Sequence, residues 1–219
     1  MSSGNKNPEG LFGTVKVGFG AGLVAGCALF SSFLSIDQQI NIPHGTFYKT
    51  IGIPMGVEGM AAVGIGLMMH MVVAALIGIS YNVAASYWRT FRIVTVPKGI
   101  LTGAVTGAIV FSLAFLPLHT AVMMPILESE LNSAESLLNI MPEEREALVE
   151  LIANNEFVLW YSALLHVLFG AVLGLMSGFL LHDRYRTVER IRSFWSVSYT
   201  NLTMPTTTKG ESTVVSGTL

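Results

Sequence analysis

Four stretches of the chain, near 13–36, 59–86, 99–126 and 157–181, each run for more than twenty residues with hardly a charge. A helix needs roughly 20 apolar residues to cross a hydrocarbon core of about 30 Å, and each stretch meets that length. Lys16, in the first turn of the first stretch, is the one basic residue near their interiors. Composition agrees: 52% of residues are apolar and 12% charged, with a mean hydropathy of +0.60, outside the range of an ordinary soluble domain. The expectation is an all-α membrane protein with four transmembrane helices.

Lys and Arg near helix ends stay on the cytoplasmic side. With the N-terminus inside, Lys6, Lys16, Arg89, Arg92, Lys98, Arg184, Arg186, Arg190, Arg192 and Lys209 fall inside, leaving Lys49 and Arg145 outside. Eight glutamates, Glu128, Glu130, Glu135, Glu143, Glu144, Glu146, Glu150 and Glu156, crowd the second outer loop, a polarity that the net charge of −2 hides. The expected organisation is a cytoplasmic N-terminus over 1–12, a transmembrane domain over 13–182 with an acidic outer loop at 127–156, and a cytoplasmic tail over 183–219. The start, MSSGNKNPEG, has no basic stretch leading into a short apolar core, so no removable signal is expected. Cys27 lies alone in the first span and is expected to serve packing.

The spans repeat. Gly18, Gly22 and Gly26, followed by Phe30 and Ser31, recur as Gly99, Gly103 and Gly107, followed by Phe111 and Ser112. Gly66, His70, Ala74, Gly78 and Asn82 recur at the same spacing of four as Ser162, His166, Gly170, Gly174 and Gly178. Each unit is a pair of helices, so both enter the membrane in the same direction. Two parallel two-helix repeats related by a twofold axis along the membrane normal are therefore expected.

Spacing of four keeps residues on one helix face, and small residues there let backbones approach. Each histidine thus stands in a strip expected to face protein. At 1.5 Å per residue, His70 and His166 lie about 16 and 14 Å along their helices, near the midplane, where an imidazole needs a partner. A four-helix bundle would aim both at one axis, with diagonal helices roughly 11–14 Å apart. The ordinary explanation is a hydrogen bond from each ring to a neighbouring carbonyl, Ser or Asn. The pair would also suit a proton or small-solute path, or the axial ligation of a b-type haem. Copper or zinc would need further donors, such as Met68, Met69 and Met71.

A second expected group lies on the outer side: His44, His119, Asp37, Glu58 and Glu156, with Met123 and Met124 following His119 in a pattern that suits copper(I). The helix macrodipole alone accounts for Glu58 and Glu156. Pro117 is expected to kink or unwind the third span. Residues 142–156 read as a short amphipathic helix in the second outer loop, with Ala147, Leu148, Leu151 and Ile152 on one face. After the fourth span, HDRYRTVERIRSFWSVSY suits an anionic inner leaflet, and the polar end, with its Asn201 sequon, is expected to be disordered.

KGILTGAVTGAIVFSLAFLPLH, the following LLHVLFGAVLG and His70 together resemble the YagU-type four-helix inner-membrane proteins over roughly residues 13–182. The family's Gly-His pair in its last helix is Leu165-His166 here, and its acid ending helix one is matched by Asp37. The resemblance implies a topology and leaves the reaction open. No nucleotide, Ser-His-Asp or metalloprotease motif argues for an enzyme or for nucleic acid as a partner. The expected function is a small transport, permeation or accessory subunit of the inner or plasma membrane, embedded in lipid, alone, as a homo-oligomer or in a larger complex. The alternative is a haem b- or metal-binding electron carrier.

Overall fold

The computed structural model describes residues 10–88, 91–93, 95–132 and 140–189. Six helices organise them: α1 (Gly10–Gln39), α2 (Thr46–Gly52), α3 (Gly59–Tyr87), α4 (Val96–Asn132), α5 (Pro142–Ala153) and α6 (Asn155–Glu189). Four of them, α1, α3, α4 and α6, are long and apolar enough to cross a membrane. α6 runs through the first part of the basic stretch, to Glu189; the rest of that stretch, from residue 190, and the sequon at Asn201 lie outside the described residues, as does 133–139 of the acidic loop.

Helices pair through glycine. A Cβ on Gly18 would sit 2.6 Å from the Gly78 carbonyl oxygen, and one on Gly22 would overlap that of Ala74, so α1 lies backbone to backbone on α3. On the other side of the molecule, Gly99 meets Gly174, Gly103 meets Gly170, and Gly107 meets the carbonyl of His166, locking α4 onto α6. Gly26 packs against Ala74 and the Met71 sulfur, and Gly178 against Val96. Such close approach maximises dispersion contact between helices that gain nothing from the hydrophobic effect in lipid.

The two pairs join asymmetrically. α1 packs along α6, reinforced by a 2.8 Å hydrogen bond between the Ser35 and Tyr161 hydroxyls. Asn82 donates from α3 to Ser177 of α6 at 3.0 Å. α3 and α4, by contrast, barely touch. Tyr81 reaches across, its hydroxyl 2.8 Å from that of Thr102 and donating to the Gly99 carbonyl at 3.1 Å. The helices thus run in the order α3, α1, α6, α4, with a gap between the outer two. An exact twofold would have closed that gap with a copy of the α1–α6 contact.

Pro117 neither ends nor unwinds its helix. It cannot donate a backbone hydrogen bond, and its ring crowds the preceding turn. α4 absorbs this with two π-helical stretches, Phe111–Phe115 and His119–Met123, on either side of Leu116–Leu118. The Thr120 hydroxyl donates to the Leu116 carbonyl at 2.8 Å. The helix then continues to Asn132, past the expected end of the span at 126. Cys27 also departs from expectation. It is exposed, because the residue after Gly26 in the small-residue strip points away from α3.

One end of the bundle is capped. Asp37, fully buried at the end of α1, accepts from the backbone N–H of Gly45 at 2.7 Å and of Phe47 at 2.9 Å, fixing the start of α2. Gly45 has φ 93°, where a side chain would be strained. Replacing Asp37 with Asn turns one acceptor into a donor facing a buried N–H. We expect Asp37→Asn to lower stability by about 2 kcal/mol, a charge-assisted bond being worth about 1.5–3. Faster amide exchange confined to residues 45–52 is the measurement that checks it. α5 docks over this cap through Ala147, Leu148 and Leu151, with Ile152 half-buried, and through a 2.9 Å ion pair between Glu144 and Lys49 of α2.

Candidate functional site

A cavity of about 550 Å3 opens in the gap between α3 and α4, halfway along the helices. α3 contributes Met69, His70, Val73, Ala74 and Ile77; α4 contributes Val110, Ala114, Phe115, Leu118, Val122, Met123 and Ile126. The back wall comes from Phe33 of α1, Phe47 and Ile51 of α2, and His166 and Phe169 of α6, and Pro54 and Met55 form the capped end. His70 and His166 are the only ionisable side chains in this lining.

The rings are held by aromatic neighbours. His70 meets Phe33 edge-on at 5.0 Å between centroids and Tyr48 at 5.9 Å. His166 meets Phe33 at 5.9 Å, Phe111 at 5.7 Å and Phe115 at 4.8 Å. Phe33 therefore touches both imidazoles. His166 Nδ1 lies 2.7 Å from the Ser162 carbonyl of its own helix. A carbonyl only accepts, so Nδ1 carries the hydrogen and Nε2 of the neutral ring is a free lone pair. His70 Nε2 is buried without a hydrogen-bond partner, and Ser162 Oγ is in the same state. Tyr48, in the cap, stays neutral: burial, with the Asp37 charge beside it, pushes its phenol well above the ordinary value.

The outer group does not assemble. His119 is fully buried inside α4, stacked on Phe115 at 5.2 Å, with Nε2 2.7 Å from the Asn155 side-chain oxygen. His44 is exposed in the turn that Asp37 holds, while Glu58 and Glu156 are exposed at the starts of α3 and α6. Met68 is exposed, Met69 and Met123 line the cavity, and Met124 is buried. Among the described residues, no three His, Cys, Asp or Glu side chains form a group that could hold a metal.

Sequence reasoning missed Phe33, Phe115 and the gap itself. Phe111 and Phe115 at a spacing of four before Pro117 were the available signal for the aromatic wall. A second recess of about 410 Å3 lies further along the same gap, lined by Leu76, Ser80, Tyr81, Trp88, Phe91 and Ile109 among others. It shares Val73, Ile77 and Val110 with the cavity. From Met69 to Trp88 the two adjoining hollows together flank α3 for about 28 Å at 1.5 Å per residue, close to a hydrocarbon core of about 30 Å. Fold and site together define a four-helix architecture with a side-opening apolar cavity. No family model, curated protein or solved structure matches the chain.

Proposed function

We propose that this is a multi-pass protein of the inner or plasma membrane, both termini cytoplasmic, which takes an apolar, membrane-dissolved molecule into the His70/His166 cavity as a small transport or accessory subunit. The observation that carries this reading is the cavity: its wall is apolar apart from two imidazoles, and it opens sideways between α3 and α4. A path for a polar solute would need a chain of hydrogen-bonding groups along its length, and this lining offers two. Orientation rests on the basic residues, ten of twelve on one side.

Two parallel helix pairs descended from one unit belong to the same proposal. Its support is matched register: Gly18 on Gly78 corresponds to Gly99 on Gly174, and Gly22 on Ala74 to Gly103 on Gly170. The similarity to YagU-type proteins is consistent with this organisation.

A photoreactive alkyl diazirine, added to the protein in nanodiscs and mapped by mass spectrometry, tests the reading. Labelling should reach Phe33 and Phe169, which are nearly inaccessible from outside, and Ala114→Phe, at an exposed position of the cavity wall, should reduce it several-fold. Labels restricted to surface residues such as Leu101 and Leu164 would remove the proposal. A Soret band or stoichiometric metal in the purified protein, lost in His70→Ala and His166→Ala, would favour the haem or metal carrier instead.

A further inference from the structure

The geometry points to the chemical class of the occupant: a lipid-soluble molecule with a hydroxyl on a ring, phenolic in kind, whose chain extends along the recess toward Trp88. This rests on the apolar-cavity reading and deepens it. The His166 Nδ1–H is committed to the Ser162 carbonyl, so the nitrogen left for a ligand is an acceptor, which a ketone, an ether or an ester cannot satisfy. No hydrogen bond fixes the tautomer of His70, whose ring lines the same wall and packs on the same Phe33. A hydroxyl has a hydrogen to give, so it can donate to the free nitrogen of His166.

The ring follows from the wall. Phe33, Phe115 and Phe169 offer flat surfaces to an aromatic body in offset or edge-on contact. The chain follows from the recess, which adjoins the cavity at Val73, Ile77 and Val110 and is lined mainly by aliphatic and aromatic groups. Cavity and recess together flank α3 for about 28 Å at 1.5 Å per residue, close to the thickness of the hydrocarbon core, room for a tail lying parallel to the lipid chains.

The test is saturable binding of tritiated 4-nonylphenol to the full chain in nanodiscs, after subtracting protein-free nanodiscs. Unlabelled phenol, its methyl ether and nonylbenzene serve as competitors. The phenol should compete about tenfold better than the ether, the ratio that one net hydrogen bond supports. In His166→Phe the ratio should fall to near one while nonylbenzene still competes, which also shows that the variant folds. His166→Gln keeps an acceptor oxygen and should keep part of the preference; if His166→Phe loses all saturable binding, this variant decides. Equal competition by phenol and ether in the unaltered protein, or loss of preference in His166→Gln, overturns the hydroxyl assignment and leaves the apolar cavity standing. Absence of saturable binding for all three compounds overturns both.

Discussion

Gly103→Leu should destabilise the protein by about 3 kcal/mol or more, the upper range for overpacking a tight contact. A Cβ at this position would overlap the Gly170 carbonyl oxygen, and Gly174 backbone atoms lie 2.9 Å away. The obstacles are backbone, not a flexible side-chain end, so α4 and α6 must separate along the whole crossing. The control is Gly64→Leu. A Cβ on Gly64 meets nothing within 4 Å, so this variant should be neutral or gain a few tenths of a kcal/mol from helix propensity. Denaturant unfolding in one detergent, followed by far-UV circular dichroism, compares the two.

Lys49→Met should undock α5. The Glu144 side chain is 6% exposed, and removing its cation leaves a carboxylate with almost no water to replace it. Breaking a buried pair from one side costs about 3–5 kcal/mol, but Lys49 retains 15% exposure, so about 2–3 is expected here. Swinging α5 off the cap rehydrates Glu144 at less cost than unfolding the bundle, so the loss should appear as local opening. Trypsin cleavage after Arg145, an exposed residue of α5, reports that opening and should accelerate by about 30-fold or more. Adding Glu144→Met removes the stranded charge and should restore most of the protection. Unchanged cleavage in Lys49→Met would mean that α5 is held by Leu148 and Leu151 alone.

Much of the architecture was legible because it follows from one-dimensional pattern. Spans announce themselves by length, since lipid leaves a backbone only the helix and the closed barrel, and runs of more than twenty apolar residues suit the helix. The face of α5 was legible too, because Ala147, Leu148 and Leu151 recur at helical spacing. What sequence could not supply were features set by how helices meet. Lys49 read only as a stray basic residue on the outer side, and its partner lies almost a hundred residues away. Asp37 read as a possible ligand in an outer group, whereas its carboxylate ends a turn through two backbone hydrogen bonds. Pro117 read as a kink or the start of unwinding, since the π-helical adjustment that accommodates it has no sequence signature.

The histidines show the same limit at the site. Their place along their helices was readable from residue counting, and their strips of small residues pointed toward protein. The opening between α3 and α4 was not, because the expected repeat argues for symmetry and the gap is a departure from it. Phe33 was likewise invisible as the residue that touches both rings, since that depends on how α1 seats against α3 and α6.

The most direct measurement of the central claim, a cavity that opens to lipid and not to water, is thiol labelling at Ala114, exposed on the cavity side of α4. In a Cys27→Ala background, Ser133→Cys and Ser193→Cys give the outer and inner references for the orientation proposed. The account predicts that Ala114→Cys reacts with a lipid-soluble maleimide and resists a charged, impermeant one from either side. Rapid reaction with the charged reagent would mean a water-filled path and would contradict it.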